Sequence, residues 1–241
     1  MNFDNKVKII LESTKADRIQ LIYEGYYDPA IFKAVFMIGG SGSGKTFITN
    51  KLGLSHLGFV QLNSDYPLEK YMEREGLNMK MPPEEKERRD VVRDKAMSVA
   101  NARADEALHQ RLGIYIDGTG SNKNETIDYD KLLKAMGYET AMVFVNTNLE
   151  TALSRNQNRA RTVPEEIAKK KWHEVQSNIG YYQNYFKRNF FVIDNSEGMW
   201  DETSKQIDSV YKQIMMWSKQ KPANPIAIAE IQRMGKEKGI K

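Results

Sequence analysis

Five short apolar runs punctuate the chain, at residues 34–38, 58–62, 113–116, 141–145 and 190–193. Each is nearly continuous rather than alternating, the pattern of a strand covered on both faces, and helical stretches separate them. Parallel strands joined by helical crossovers give this pattern, so it predicts an α/β fold. One crossover starts at Pro82, Pro83, Glu84 and Glu85, after which Val92, Ala96, Ala100, Ala104 and Leu108 recur every four residues as the stripe of a long helix. A second follows Thr162, Val163, Pro164 and Glu165, read as a capping box, and runs through Trp172, Val175, Ile179, Tyr182 and Phe186. Ile207, Val210, Tyr211 and Ile214 mark a third. Beyond it the chain is polar, proline-bearing and basic at its end, the composition of a mobile tail. The expected organisation is a helical extension over 1–33, one domain over 34–218 and a basic tail over 219–241.

Composition adds boundaries rather than chemistry. With 40% hydrophobic and 28% charged residues the chain is an ordinary globular protein. Its net charge of +4 is spread along the sequence, which eases contact with phosphates or nucleic acid without building a basic block. The absence of cysteine excludes a disulfide framework, and His56, His109 and His173 have no metal-ligand spacing. No stretch of 18 apolar residues occurs and the opening residues lack a basic segment followed by an apolar core, so a cytoplasmic protein without membrane contact is expected.

Chemistry enters after the first apolar run, where Gly39, Gly40, Ser41, Gly42, Ser43, Gly44, Lys45 and Thr46 fit G-x-x-x-x-G-K-[ST] at every specified position. Glycines let the backbone turn tightly, so that successive N–H groups face phosphate oxygens, and the following helix offers them its positive end. Lys45 would reach the β- and γ-phosphates, and the Thr46 hydroxyl is placed to ligate Mg²⁺. A glycine-rich turn that binds nothing is the bland alternative. The order strand, loop, helix, with Phe47, Ile48 and Leu52 as the helix's apolar face, favours the phosphate site.

Three further elements bear on what such a site does. Asp65, in Asn63, Ser64 and Asp65 after the second run, either accepts the proton of an attacking hydroxyl or caps a turn. Asp117, in Asp117, Gly118, Thr119 and Gly120 after the third, either holds Mg²⁺ through water or makes a tight turn. Arg155 and Arg159 stand four apart, on one face of a helix, where they close over phosphates as a lid or form a solvated face.

Taken together, residues 34–195 resemble the P-loop kinases of the zeta-toxin and phage polynucleotide kinase group. There a GxxGSGKS/T loop is followed by an aspartate after strand two and by an R-x-x-x-R lid ending in V-P and a helix. The run from Arg155 through Asn156, Gln157, Asn158, Arg159, Ala160, Arg161, Thr162 and Val163 to Pro164 looks like that lid, and Asp194 and Asn195 are zeta-like. The resemblance implies a P-loop NTPase-type three-layer sandwich with a parallel five-stranded sheet ordered 2-3-1-4-5. It further implies ATP and Mg²⁺ as cofactors, Lys45 and Thr46 on phosphates and metal, Asp65 as base, Arg155 and Arg159 in the lid, and Asn195 at the nucleotide. Leu68 stands where polynucleotide kinases carry an arginine for the acceptor, with Lys70 and Arg74 nearby.

The leading expectation is an ATP-dependent hydroxyl kinase acting on a polynucleotide 5′-hydroxyl, a nucleotide sugar or a small metabolite. A nucleotide-dependent switch that docks a partner or nucleic acid through the tail is the second, and a hydrolytic ATPase the third, since no glutamate follows Asp117 to orient water. The segment 66–93 is expected to shape the acceptor pocket. Its charges alternate from Glu69 to Lys80, unlike a polyanion groove, and aromatic stacking platforms are thin, with Tyr66 and Tyr71 the only candidates.

Overall fold

The computed structural model describes residues 28–63, 65–80, 82–158 and 163–237. Five parallel strands, β1 Lys33–Ile38, β2 Val60–Leu62, β3 Ile114–Gly118, β4 Glu139–Asn146 and β5 Phe190–Asp194, form one sheet in the order β2-β3-β1-β4-β5. Eight helices are described: α1 Lys45–Leu52, α2 Asp65–Arg74, α3 Lys86–His109, α4 Lys123–Ala135, α5 Leu149–Gln157, α6 Glu165–Phe186, α7 Trp200–Ser218 and α8 Pro225–Glu237. The fold is the P-loop NTPase-type α/β sandwich.

The central position of β1 explains its composition. Every one of its residues is buried, because β3 and β4 flank it and helices cover both faces. Alternate side chains serve alternate layers. Phe36 and Ile38 join Ile114, Met142 and Phe144 against Leu133, Tyr182 and Phe186 from α4 and α6. Val35 and Met37 join Val143, Val145 and Ile193 against Ile48 and Leu52 of α1 and Ile207, Val210 and Ile214 of α7. The Lys33 ammonium, buried with the rest, is paired with the Glu139 carboxylate and lies 5.1 Å from the Trp217 ring centre.

Helix α3 shows why a stripe every four residues cannot stay buried. A helix repeats every 3.6 residues, so the stripe precesses. Val92 and Ala96 pack on Leu68, Tyr71, Met72 and Leu77 in a cluster of their own between α2 and α3. Farther along the helix Ala107, outside the stripe, is buried in the main core, while Ala104 and Leu108 are only half-buried.

Several expectations shift. Strand β2 begins at Val60, not 58, because Gly58 closes a turn at φ 93°. Helix α6 takes Pro164 as its N-cap without a side-chain bond, so the expected capping box does not start it; Thr162 lies outside the described residues. Tyr211 is 37% exposed rather than part of the α7 seam. Residues 28–32 belong to the domain, with Ala30 and Phe32 fully buried, whereas 1–27 lie outside the described residues. The tail, expected to be mobile, is helical over Pro225–Glu237 and seated on the body: Ala227 is buried in the core cluster that holds Phe32 and Tyr138, and Arg111 bonds Glu230 at 3.4 Å. An aspartate at Ala227 would place an unpaired charge in that seat. Ala227→Asp is therefore expected to release α8, seen as fast amide exchange over 225–237 while the β1 and β4 amides stay protected.

Candidate functional site

The turn after β1 is held from both sides. The Gly39 N–H donates to the Gly118 carbonyl at 3.3 Å, tying the loop to β3, and the Asn195 amide donates to the Ser43 carbonyl at 2.8 Å, tying it to the end of β5. Gly44 caps α1 in the left-handed region at φ 76°, and a Cβ there would collide with the Asn195 amide. The first-turn N–H groups of α1 thus sit at the carboxyl end of the sheet, where doubly wound α/β folds bind ligands. The Ser43 hydroxyl, 1% exposed, has no hydrogen-bond partner.

Lys45 extends from this helix to the Asp117 carboxylate, on Oδ1. The other oxygen of Asp117 accepts from the Asn63 amide at 2.9 Å. One carboxylate therefore joins the loop after β1, the end of β3 and the end of β2. Asp117 falls inside β3, opposite Met37, rather than in a turn after it. Asp65 is the first residue of α2, two positions beyond Asn63. Thr46 is exposed in the first turn of α1. Among the described residues no group of three or more acidic, histidine or cysteine side chains converges as a metal cage. One carboxylate and one hydroxyl are, however, the donor set of a Mg²⁺ that keeps waters and is held by phosphates.

On the opposite flank, Arg155 of α5 donates to the Asn195 carbonyl at 2.8 Å, and its Nη1 would lie 3.4 Å from a Cβ on Gly44. Arg159 lies outside the described residues. Asn156, 3% exposed, donates to the Val163 carbonyl at 2.7 Å, accepts from the Val163 N–H at 3.2 Å, and so joins the two ends of the stretch that carries Arg159. Burial alone would raise the Asp194 pKa, but hydrogen bonds from Ser196 and Asn146 outweigh it and hold the carboxyl below its ordinary range. It stays ionised and fixes the turn that presents Asn195.

Helix α6 holds the remaining loops. Trp172 donates to the Thr147 carbonyl at 2.9 Å, and Asn178 to the Gly120 and Ser121 carbonyls, each at 3.0 Å. The Tyr182 hydroxyl donates to the same Gly120 carbonyl at 2.9 Å, and burial pushes its pKa up, so it remains a donor. Gly120 sits at φ 73° against Ile38. Periodicity reads Tyr182 only as part of the apolar stripe, and the sequence gives no signal for Asn156 or Asn178. Tyr71, expected as a stacking residue, is buried between α2 and α3, whereas Tyr66 is 64% exposed. Cavities of about 350 and 390 Å³ lie elsewhere, lined by Glu139 and Asn189 at the amino ends of β4 and β5, and the loop lines neither.

The sequence matches the family model described as "AAA domain" over residues 35–180, more than half of the chain. Among solved structures, a chain of the AvrRxo1-ORF1:AvrRxo1-ORF2 complex with sulphate ions is similar at TM-score 0.59 and 17% identity, over 79% of this chain and 62% of that one. This chain thus spans less than two thirds of that relative. The same complex with ATP gives a TM-score of 0.58 at 17% identity, with the same coverage. A structure of the PezAT toxin–antitoxin system of Streptococcus pneumoniae gives 0.53 at 13% identity, over 85% and 95% of the two chains. At these identities the likeness is one of fold. No curated protein sequence matches significantly.

The shared Gly120 carbonyl generates a test. Either Tyr182→Phe or Asn178→Ala leaves it one donor, whereas the double variant leaves it buried and orphaned. The double variant is expected to lose about 1 kcal/mol more stability than the single losses added together, measured by a double-mutant cycle in urea.

Proposed function

Because the chain belongs to the AAA-domain family of P-loop kinases, we propose that it transfers the γ-phosphate of ATP to a hydroxyl group on an acceptor. The observation that carries this reading is the double engagement of Asp117 by Lys45 and Asn63, which gathers the start of α1, the carboxylate at the end of β3 and the end of β2. In this reading the N–H groups of residues 39–46 hold the triphosphate, and Lys45 leaves Asp117 for the β- and γ-phosphates. Thr46 and Asp117 would hold Mg²⁺, which supplies neutralisation of phosphate charge when bound. Asp65 takes the acceptor proton as the acceptor oxygen bonds to the γ-phosphorus and the bond to the ADP oxygen breaks. Arg155 faces the phosphates across Gly44, and Arg159, outside the described residues, is the second proposed phosphate-binding arginine. The structure of a similar fold with ATP supports ATP as donor.

The α2–α3 hairpin is the acceptor wall in this account. Leu68, at the place where polynucleotide kinases carry an arginine, is 4% exposed and serves the hairpin's own core. Lys70 is engaged with Glu73 at 3.5 Å and with the Tyr66 ring at 5.8 Å. A surface of mixed sign with one exposed ring suits a nucleotide sugar or small hydroxylated metabolite better than a polynucleotide.

The test is transfer from γ-labelled ATP to pools of nucleotide sugars, small metabolites and 5′-hydroxyl oligonucleotides, with Lys45→Ala as control. Label in one pool for the wild type alone supports the kinase; tight ATP binding without transfer to any pool points to a nucleotide switch. Asp65→Asn is expected to slow transfer by about 10²- to 10⁴-fold while ATP affinity is retained.

A further inference from the structure

We infer that Phe47 and Trp200 form the platform on which the nucleobase of the phosphate donor lies, an inference that rests on the nucleotide reading of the loop. The direction of the triphosphate follows from the two flanks of that loop. On the β3 flank are Lys45, Asp117 and Asn63, the group that meets the transferring end. On the β5 flank are Asn195, bonded to the Ser43 carbonyl, and Arg155, bonded to Asn195. With the γ-phosphate toward β3, the nucleoside leaves toward β5. The unpartnered Ser43 hydroxyl, buried in the loop between these flanks, is a polar group awaiting a ligand.

At that exit the chain places large apolar side chains in water. Phe47 follows Thr46 in the first turn of α1 and is 43% exposed, not buried as the face of its helix would have it. Trp200 opens α7 five residues beyond Asn195, is 51% exposed, and lies 5.7 Å from Phe47 between ring centres at an interplanar angle of 56°. Lys51 lies 5.6 Å from the Phe47 ring centre. Met199, 38% exposed, precedes Trp200.

Aromatic faces beside a phosphate site recognise the π-surface of a base, and they tolerate different bases because every base has one. The platform accordingly separates a nucleoside triphosphate from inorganic triphosphate, and distinguishes adenine from guanine only weakly.

The experiment measures binding of Mg²⁺ complexes of ATP, GTP and inorganic tripolyphosphate to the full chain by calorimetry, for wild type, Phe47→Ala, Trp200→Ala and Trp200→Phe. Each alanine variant is expected to bind ATP and GTP about tenfold more weakly, with tripolyphosphate within about twofold of wild type and most of the loss recovered in Trp200→Phe. Retained tripolyphosphate binding also reports that each variant is folded. Unchanged ATP affinity in both alanine variants, or equal losses for ATP and tripolyphosphate, overturns the platform and leaves the phosphate loop standing. A wild type that binds none of the three ligands overturns the platform and the nucleotide reading together.

Discussion

The ion pair between Lys45 and Asp117 joins the helix that follows the loop after β1 to the end of β3. Both side chains are partly buried, at 17% and 11% exposure, and each satisfies the charge of the other. The pair exists because β1 and β3 are adjacent and in register, with Met37 opposite Asp117 and Ile38 opposite Gly118. Asn63 reaches the same carboxylate because β2 pairs with β3 and ends beside it. Sheet order is thus the physical reason that residues 45, 63 and 117 meet. In the kinase reading that carboxylate passes to a phosphate-held cation once the Lys45 ammonium transfers to phosphate.

The other flank is built on carbonyls. Asn195, Arg155 and Asn156 bond main-chain oxygens, and Asn178 and Tyr182 bond the loop after β3. Helix α6, which continues from the stretch carrying Arg159, therefore reaches the loops after β3 and β4 by direct hydrogen bonds. The nucleobase platform adds the remaining corner, where β5 gives way to α7.

Much of this was legible in the sequence, for identifiable reasons. Runs such as Ala34 to Ile38 lack polar alternation because both faces of the sheet are covered, and that alone indicates buried parallel strands. The phosphate loop is legible because its geometry restricts residue type at fixed offsets, with Gly44 at positive φ the plainest case. What remained hidden depends on contacts between distant residues. Asn178 reads as a polar interruption in an apolar helix until Gly120, far away in sequence, is brought against it. Phe47 reads as core until the helix is seen to turn it outward, and the tail reads as mobile until Ala227 finds its seat. The expected four-residue stripe of α3 failed in detail because a helix does not repeat every four residues.

In the kinase reading Asp117 exchanges Lys45 for a cation when nucleotide binds. ATP binding would be titrated calorimetrically with and without Mg²⁺, for wild type and Asp117→Asn. Mg²⁺ is expected to tighten ATP binding to the wild type but not to the variant, while ATP alone binds the variant at least as well as the wild type. Equal tightening by Mg²⁺ in both proteins would contradict that exchange.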